Sequence, residues 1–314
     1  MNIVFFGTSE FALVSLEKLL GSRHKVLAVV TQPDSKKGRK LQLSQPPTKA
    51  LALNNDIKVF QPVNASNPES IDYLKNLEAD LFVVVSFGQI LKSEVLSIPK
   101  TYAINLHSSL LPKYRGAAPI NWAIINGDRI TGVTVIRMNE RMDEGDIILK
   151  QEVSLGNDDT YITLSEKLSI IGAEALLKTI DLIEGDKAAS KPQNNSEATY
   201  APKLKKEDGL IDWNEPAIKI QNKIKGLIPW PGAYTHYEGK LLKILKTELL
   251  KAMPSQAKAA KPGEVIDIVK DIGVIVHTGS ENLLIKHVQL EGKRSVDTCS
   301  FLRGHKIGKG YKFI

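Results

Sequence analysis

The chain has 314 residues, more than one ordinary core accommodates, and its 42% hydrophobic and 25% charged residues exclude a disordered or membrane-embedded chain. The net charge of +7 is uneven: residues 1–202 hold 22 Lys and Arg against 23 Asp and Glu, whereas 203–314 hold 20 against 12. One cysteine, Cys299, excludes an intrachain disulfide, "MNIVFFGTSE" has no basic lead, and the longest apolar run, "LFVVVSFGQIL" at 81–91, is too short for a bilayer, so a cytoplasmic protein without a membrane partner is expected.

The first two-thirds alternate strand and helix patterns. "NIVFFG" (2–7) is a continuous apolar run ended by glycine, and Ser9 is placed to cap the helix "SEFALVSLEKLL" (9–20). Gly7 stands without the second and third glycines of GxGxxG, so a tight turn is read there and not a dinucleotide site. "KVLAVVTQ" (25–32) is a second buried strand; a helix over 67–77 precedes a third, "ADLFVVVSFG" (79–88). "YAINLHS" (102–108) is another, followed by a helix over 119–127, strands over 131–138 and 147–155, and a long helix over 160–185. Continuous apolar strands between helices imply a mostly parallel sheet covered on both faces.

From 185 to 209 the chain is rich in Lys, Asn, Ser and Pro, has no apolar period and reads as exposed. Beyond it lie one helix, "EPAIKIQNKIKGL" (215–227), and short runs with turn signals: 233–250, 263–278 and 281–291. These predict a small β-barrel. The expected division is therefore an α/β domain over 1–189, a linker over 190–206 and a basic β-barrel over 207–314. Its charge suits either a polyanion partner or a Lys-rich solvated surface.

The unusual stretch is "NLHSSLLPKYRGAAP", 105–119. Asn105 and His107 are two apart on a strand, so both leave the same face, at the C-terminal end where open parallel sheets place their ligand crevice. Asp143, in "RMDEGDII", is a third polar candidate, or an ordinary turn aspartate. The loop 32–49 carries Lys36, Lys37, Arg39, Lys40 and Lys49 against one acid, Asp34; such a run is a solvated loop or a site for nucleic-acid phosphates.

"NLHSSLLPKYRGAAPINWAI" with "MDEGDII" resembles the folate-dependent formyltransferases. "TQPDSKKGRK" (31–40), "FQPVN" (60–64) and "KEDGLIDW…PWPGAYT" (206–235) are similar to the branch of that family that acts on charged tRNA, so the resemblance covers nearly the whole chain. It implies a Rossmann-like α/β domain followed by an OB-like barrel, 10-formyltetrahydrofolate as co-substrate and an initiator methionyl-tRNA as partner. Neither a metal nor an obligate protein partner is implied. Carried onto this sequence, the catalytic trio is Asn105, His107 and Asp143. Folate falls to Gln89, Ile90 and Leu91 and to Ser109, Leu110, Leu111 and Pro112, and tRNA to Lys36, Lys37, Arg39 and Lys40. The sequence departs from the family near Lys225, where an arginine is expected.

The residues suit this chemistry. Formyl transfer to an amine passes through a tetrahedral species whose oxyanion needs donors, which Asn105 and His107 can supply, while Asp143 orients the imidazole or takes the amine proton. Rival readings are a formyltransferase for a small amine, a formyltetrahydrofolate hydrolase and a catalytically silent RNA-binding protein.

Overall fold

A computed structural model describes residues 1–37, 42–250 and 260–313. The chain divides into two compact units: Met1–Pro119, Ile130–Ser154 and Ser165–Ala201 form the first, and Ile120–Arg129, Leu155–Leu164 and Pro202–Ile314 the second. The elements through the first half are β1 (Asn2–Gly7), α1 (Glu10–Leu20), β2 (Lys25–Val30), β3 (Ser35–Lys37), β4 (Gln42–Ser44), α2 (Pro47–Asn54), β5 (Lys58–Phe60), α3 (Pro68–Lys75), β6 (Leu81–Val85), α4 (Ser93–Leu96) and β7 (Tyr102–His107). There follow β8 (Arg115–Gly116), α5 (Pro119–Ile125), β9 (Ile130–Arg137), β10 (Asp146–Ser154), α6 (Tyr161–Glu184) and β11 (Tyr200–Ala201).

The first unit is built on a seven-stranded sheet in the order β10-β9-β7-β6-β1-β2-β5. From β5 to β7 the strands are parallel; β9 and β10 add antiparallel on the β7 side. This is the mostly parallel α/β sheet the apolar runs predicted. Ser9 caps α1 by accepting from the Ala12 N–H, and the helix buries Phe11, Ala12, Leu16 and Leu19. The helix α2 and strand β5 were not anticipated: each is short, and α2 starts on a Pro-Pro pair, where a turn is the simpler reading.

Register carries the core to the site. Val4 pairs with Phe82 and Phe82 with Ala103; one pleat on, Phe6 pairs with Val84 and Val84 with Asn105. Side chains two apart share a face, so this apolar row runs along the sheet and ends in polar residues, Asn105 and then His107. The Phe6 ring lies 5.0 Å from that of Phe82 and 5.4 Å from that of Phe87, which opens the loop after β6.

The second unit contains α7 (Ala217–Gly226), β12 (Tyr234–Tyr237), β13 (Lys240–Leu250), β14 (Val265–Val269), β15 (Gly273–His277), β16 (Asn282–Leu290), β17 (Val296–Asp297) and α8 (Thr298–Gly304). Its sheet, β12-β13-β16-β15-β14 with β17 on β16, is antiparallel, as the C-terminal pattern predicted. Ile220 and Ile224 of α7 pack into its core with Trp213, Leu242 and Ile285, and the Trp213 and Phe313 rings stack at 5.7 Å. Lys225, at the departure noted above, bonds the Asn157 carbonyl and the Gln221 side chain (3.0 Å to the latter), and burial pushes its ammonium below the usual lysine range. Asn121 donates to the Gly226 carbonyl at 2.7 Å, tying α5 to the end of α7.

Phe82 is fully buried between the Phe6 ring and the Val84 row. Phe82→Ala should cost about 3–5 kcal/mol of unfolding free energy, read as a lower denaturant midpoint.

Candidate active site

A cavity of about 490 Å³ opens at the C-terminal ends of β6 and β7, walled by the loop after β6 on one side and the β9–β10 loop on the other. Asn105, His107 and Asp143 all line it, so the strand pair and the distant aspartate come together. Gln89, Ile90 and Leu91 also line it, with Ile90 and Met142 exposed at the rim.

His107 is 6% exposed, and its two ring nitrogens face different partners. Nε2 lies 2.9 Å from the Tyr114 carbonyl oxygen. A carbonyl only accepts, so Nε2 carries the hydrogen and donates it. Nδ1 then faces Asp143, 3.5 Å from Oδ1. The other carboxylate oxygen, Oδ2, accepts from the Gly116 N–H at 2.8 Å. Both Tyr114 (φ +61°) and Asp143 (φ +56°) occupy the left-handed region, uncommon for side chains other than glycine. The Tyr114 N–H is held by the Thr199 hydroxyl at 2.9 Å, which helps aim the neighbouring carbonyl at His107.

Ser109 to Pro112 do not line this cavity. Ser109 is fully buried and donates to the Lys113 carbonyl at 2.6 Å; its own carbonyl accepts from Thr134 at 2.7 Å, and the Leu111 N–H donates back to Thr134 at 3.1 Å. These bonds shape the turn that brings Tyr114 over His107. The Gln89 side chain, by contrast with its place on the cavity wall, is engaged by the turn at 62–65: its oxygen accepts from Ala65 N–H at 2.8 Å and its amide donates to the Pro62 carbonyl at 3.1 Å. The loop after β6 is also held at the Phe87 carbonyl, which accepts from Thr8 at 3.0 Å and Gln32 at 3.1 Å.

Of the basic loop, Lys36 and Lys37 lie in β3, paired with β4; Arg39 and Lys40 lie outside the described residues. Lys49 is engaged at the loop's base, bonding both Asp34 carboxylate oxygens at 2.9 and 2.8 Å. The Lys49 ammonium, with the Gln61 amide, holds the Asp34 carboxyl below the usual aspartate range.

Arg115 has no role legible in the sequence. It is 2% exposed, and its guanidinium meets Glu144 at 3.2 Å, Asn195 at 2.8 Å and Gln193 at 2.8 and 3.2 Å. Two of these partners come from the segment expected to be a linker. That segment is largely exposed, yet β11 within it pairs with β8. Its only sequence signal was an Asn- and Gln-bearing run without helical or strand period.

The formyl transferase family model matches residues 1–180, and the formyl transferase C-terminal domain model matches 203–306. The chain is 44% identical over 310 residues to the methionyl-tRNA formyltransferase of Geobacter sulfurreducens, covering 99% of this chain and 96% of that protein. It is 45% identical over 310 residues to that of Alkaliphilus oremlandii, covering 99% and 98%. Among solved structures, the sugar 3N-formyl transferase WlaRD shares the fold, with a TM-score of 0.66 at 19% identity over 94% of this chain and 99% of that one. HypX from Aquifex aeolicus gives 0.66 at 19% over 97% of this chain and 48% of that one. With both domain models in order and full-length identity to curated relatives, the chain belongs to the formyl transferase family, among the methionyl-tRNA formyltransferases.

Proposed function

We propose that the chain moves a formyl group from 10-formyltetrahydrofolate to the α-amino group of initiator methionyl-tRNA, supporting translation initiation, and that Asn105, His107 and Asp143 carry the reaction. The observation that carries this reading is the convergence of these three side chains on one cavity, with His107 Nδ1 facing Asp143. The amine nitrogen attacks the formyl carbon, the carbonyl oxygen becomes an oxyanion, and the bond from that carbon to the folate nitrogen then breaks. Asn105 and His107 share one face of β7 and can offer N–H groups to the oxyanion. Because Nε2 is committed to Tyr114, the His107 donor toward the cavity is Nδ1, in the protonated ring. Asp143 accepts the proton that the amine sheds, and as the oxyanion re-forms the carbonyl that proton passes to the departing folate nitrogen, leaving tetrahydrofolate and the formylated amine. An α-amino group has a pKa of roughly 7.7–8.0, so an appreciable neutral fraction is present near neutral pH and no covalent enzyme intermediate is needed. The Gln89–Leu91 wall borders the folate, while Ser109 to Pro112 act from beneath by shaping the turn over His107. Lys36, Lys37, Arg39 and Lys40 take phosphates of the tRNA acceptor end, and the basic second unit takes phosphates further along.

Incubation with labelled 10-formyltetrahydrofolate and charged initiator tRNA tests the activity: label should arrive on the methionine amine. Label released as formate, with none on tRNA, identifies a hydrolase instead. His107→Ala and Asn105→Ala should each lower turnover about 10²–10³-fold, the effect of losing one oxyanion donor. Their tRNA affinity, measured by filter binding, should stay within about twofold, since these groups act on transition-state charge. Near-normal turnover in either variant removes the trio.

Replacing Lys36, Lys37, Arg39 and Lys40 together by Ala should raise the tRNA concentration required and flatten its salt dependence, by a little under about one log–log unit for each phosphate no longer neutralised. An unchanged salt slope would assign tRNA binding to the second unit alone.

A further inference from the structure

We infer that Gln193 is a positioning residue for Asp143, holding the backbone on which the proton acceptor sits; this rests on the role proposed for Asp143 above. Gln193 does not line the cavity, so it has no direct contact to offer a substrate there. Its side-chain amide nevertheless makes four directed bonds. Oε1 accepts from Arg115 Nε at 3.2 Å and Nη2 at 2.8 Å. Nε2 donates to the carbonyl oxygens of Asp143 and Gly145, both at 2.7 Å. A guanidinium only donates and a carbonyl only accepts, so the amide cannot turn over without placing donor against donor and acceptor against acceptor.

The two carbonyls flank Glu144, whose carboxylate meets Arg115 at 3.2 Å. The Asp143 carboxylate is in turn held by the N–H of Gly116, the residue after Arg115. Asp143 is thus fixed at two points: its side chain by Gly116 and its carbonyl by Gln193. That restraint bears on a residue at φ +56°, a conformation an aspartate keeps only when its surroundings over-determine it. Gly145 sharpens the requirement. A Cβ there would run into the Arg137 carbonyl, so the loop passes close against β9 and has little room to find another path. Without the Gln193 donors, two carbonyls lose their partners and the backbone can relax out of the left-handed region. That swings the carboxylate away from His107 Nδ1. A displacement of about 1 Å at a reacting group is enough to cost about a hundredfold in rate.

Two variants of the full chain separate positioning from simple support. Gln193→Ala removes all four bonds. Gln193→Glu keeps an acceptor for Arg115 but turns an oxygen toward the Asp143 and Gly145 carbonyls, which repel it. Steady-state kinetics with 10-formyltetrahydrofolate and charged initiator tRNA, together with thermal midpoints, read the outcome. In both variants kcat should fall on the order of tenfold or more, with KM for folate and tRNA within about twofold, the pattern of a lost transition-state interaction. Gln193→Glu should have the higher thermal midpoint and the lower kcat. The inference is overturned if either folded variant keeps kcat within about twofold of wild type, or if the losses follow the thermal midpoints. Asp143→Asn, assayed alongside, separates the two readings. If it turns over normally, the role of Asp143 itself fails; if it is impaired while both Gln193 variants are normal, only the positioning inference fails.

Discussion

The His107 ring has one nitrogen that must donate, because the atom facing it is the Tyr114 carbonyl oxygen. The site depends on that constraint. It leaves Nδ1 as the nitrogen toward Asp143 and the cavity, so the ring has a defined orientation before any substrate arrives. At 3.5 Å, Nδ1 and the Asp143 carboxylate are close but outside a tight hydrogen bond. Neither group is therefore locked onto the other, and both can engage a reacting molecule.

The orientation is maintained by polar side chains reaching between loops that are far apart in sequence. Thr8 and Gln32 hold the Phe87 carbonyl, Gln89 holds the turn at 62–65, and Thr134 holds the turn at 109–111. On the other wall, Arg115 gathers Glu144, Gln193 and Asn195. A buried guanidinium is stabilised only when its donors are answered, which explains why several amide and carboxylate side chains converge on this one residue. The parallel sheet supplies a rigid base, and these clamps give the loops above it comparable definition.

Much of this was readable in the sequence. Strands β1, β2 and β6 declare themselves by continuous apolar runs because the sheet is covered on both faces, while β7 breaks the pattern at Asn105 and His107. Asn105 and His107 were legible because a strand's period of two fixes which side chains are companions. Asp143 stands in the sequence as a polar candidate on a tight loop with an ordinary turn aspartate as the rival reading, and the family resemblance favours the first. The hydrogen bonds of Ser109, Leu111 and Gln193 are not legible in the sequence, for a shared reason. Their hydrogen bonds go to particular atoms 23 to 78 residues away or to a neighbouring turn, and local pattern reports which face a residue takes, not which atom it will meet. An apolar segment announces burial by its composition. A polar, aperiodic one such as 190–201 looks solvated whether or not its side chains bind elsewhere.

The segment around Lys191 has one more effect, at the far edge of the first unit's sheet. Strand β10 is the last of seven and offers a row of backbone donors and acceptors to any passing strand. Ile147, near its start, has both backbone groups taken by Lys191, at 2.8 and 2.9 Å. Further along, Lys150, Gln151 and Glu152 are exposed, placing charge of both signs on the open edge. The opposite edge, β5, is three residues long. A sheet bounded by a capped, charged strand on one side and a stub on the other is a poor template for strand addition. The same chain segment that braces the loop around Asp143 thus also guards the sheet against edge-to-edge aggregation.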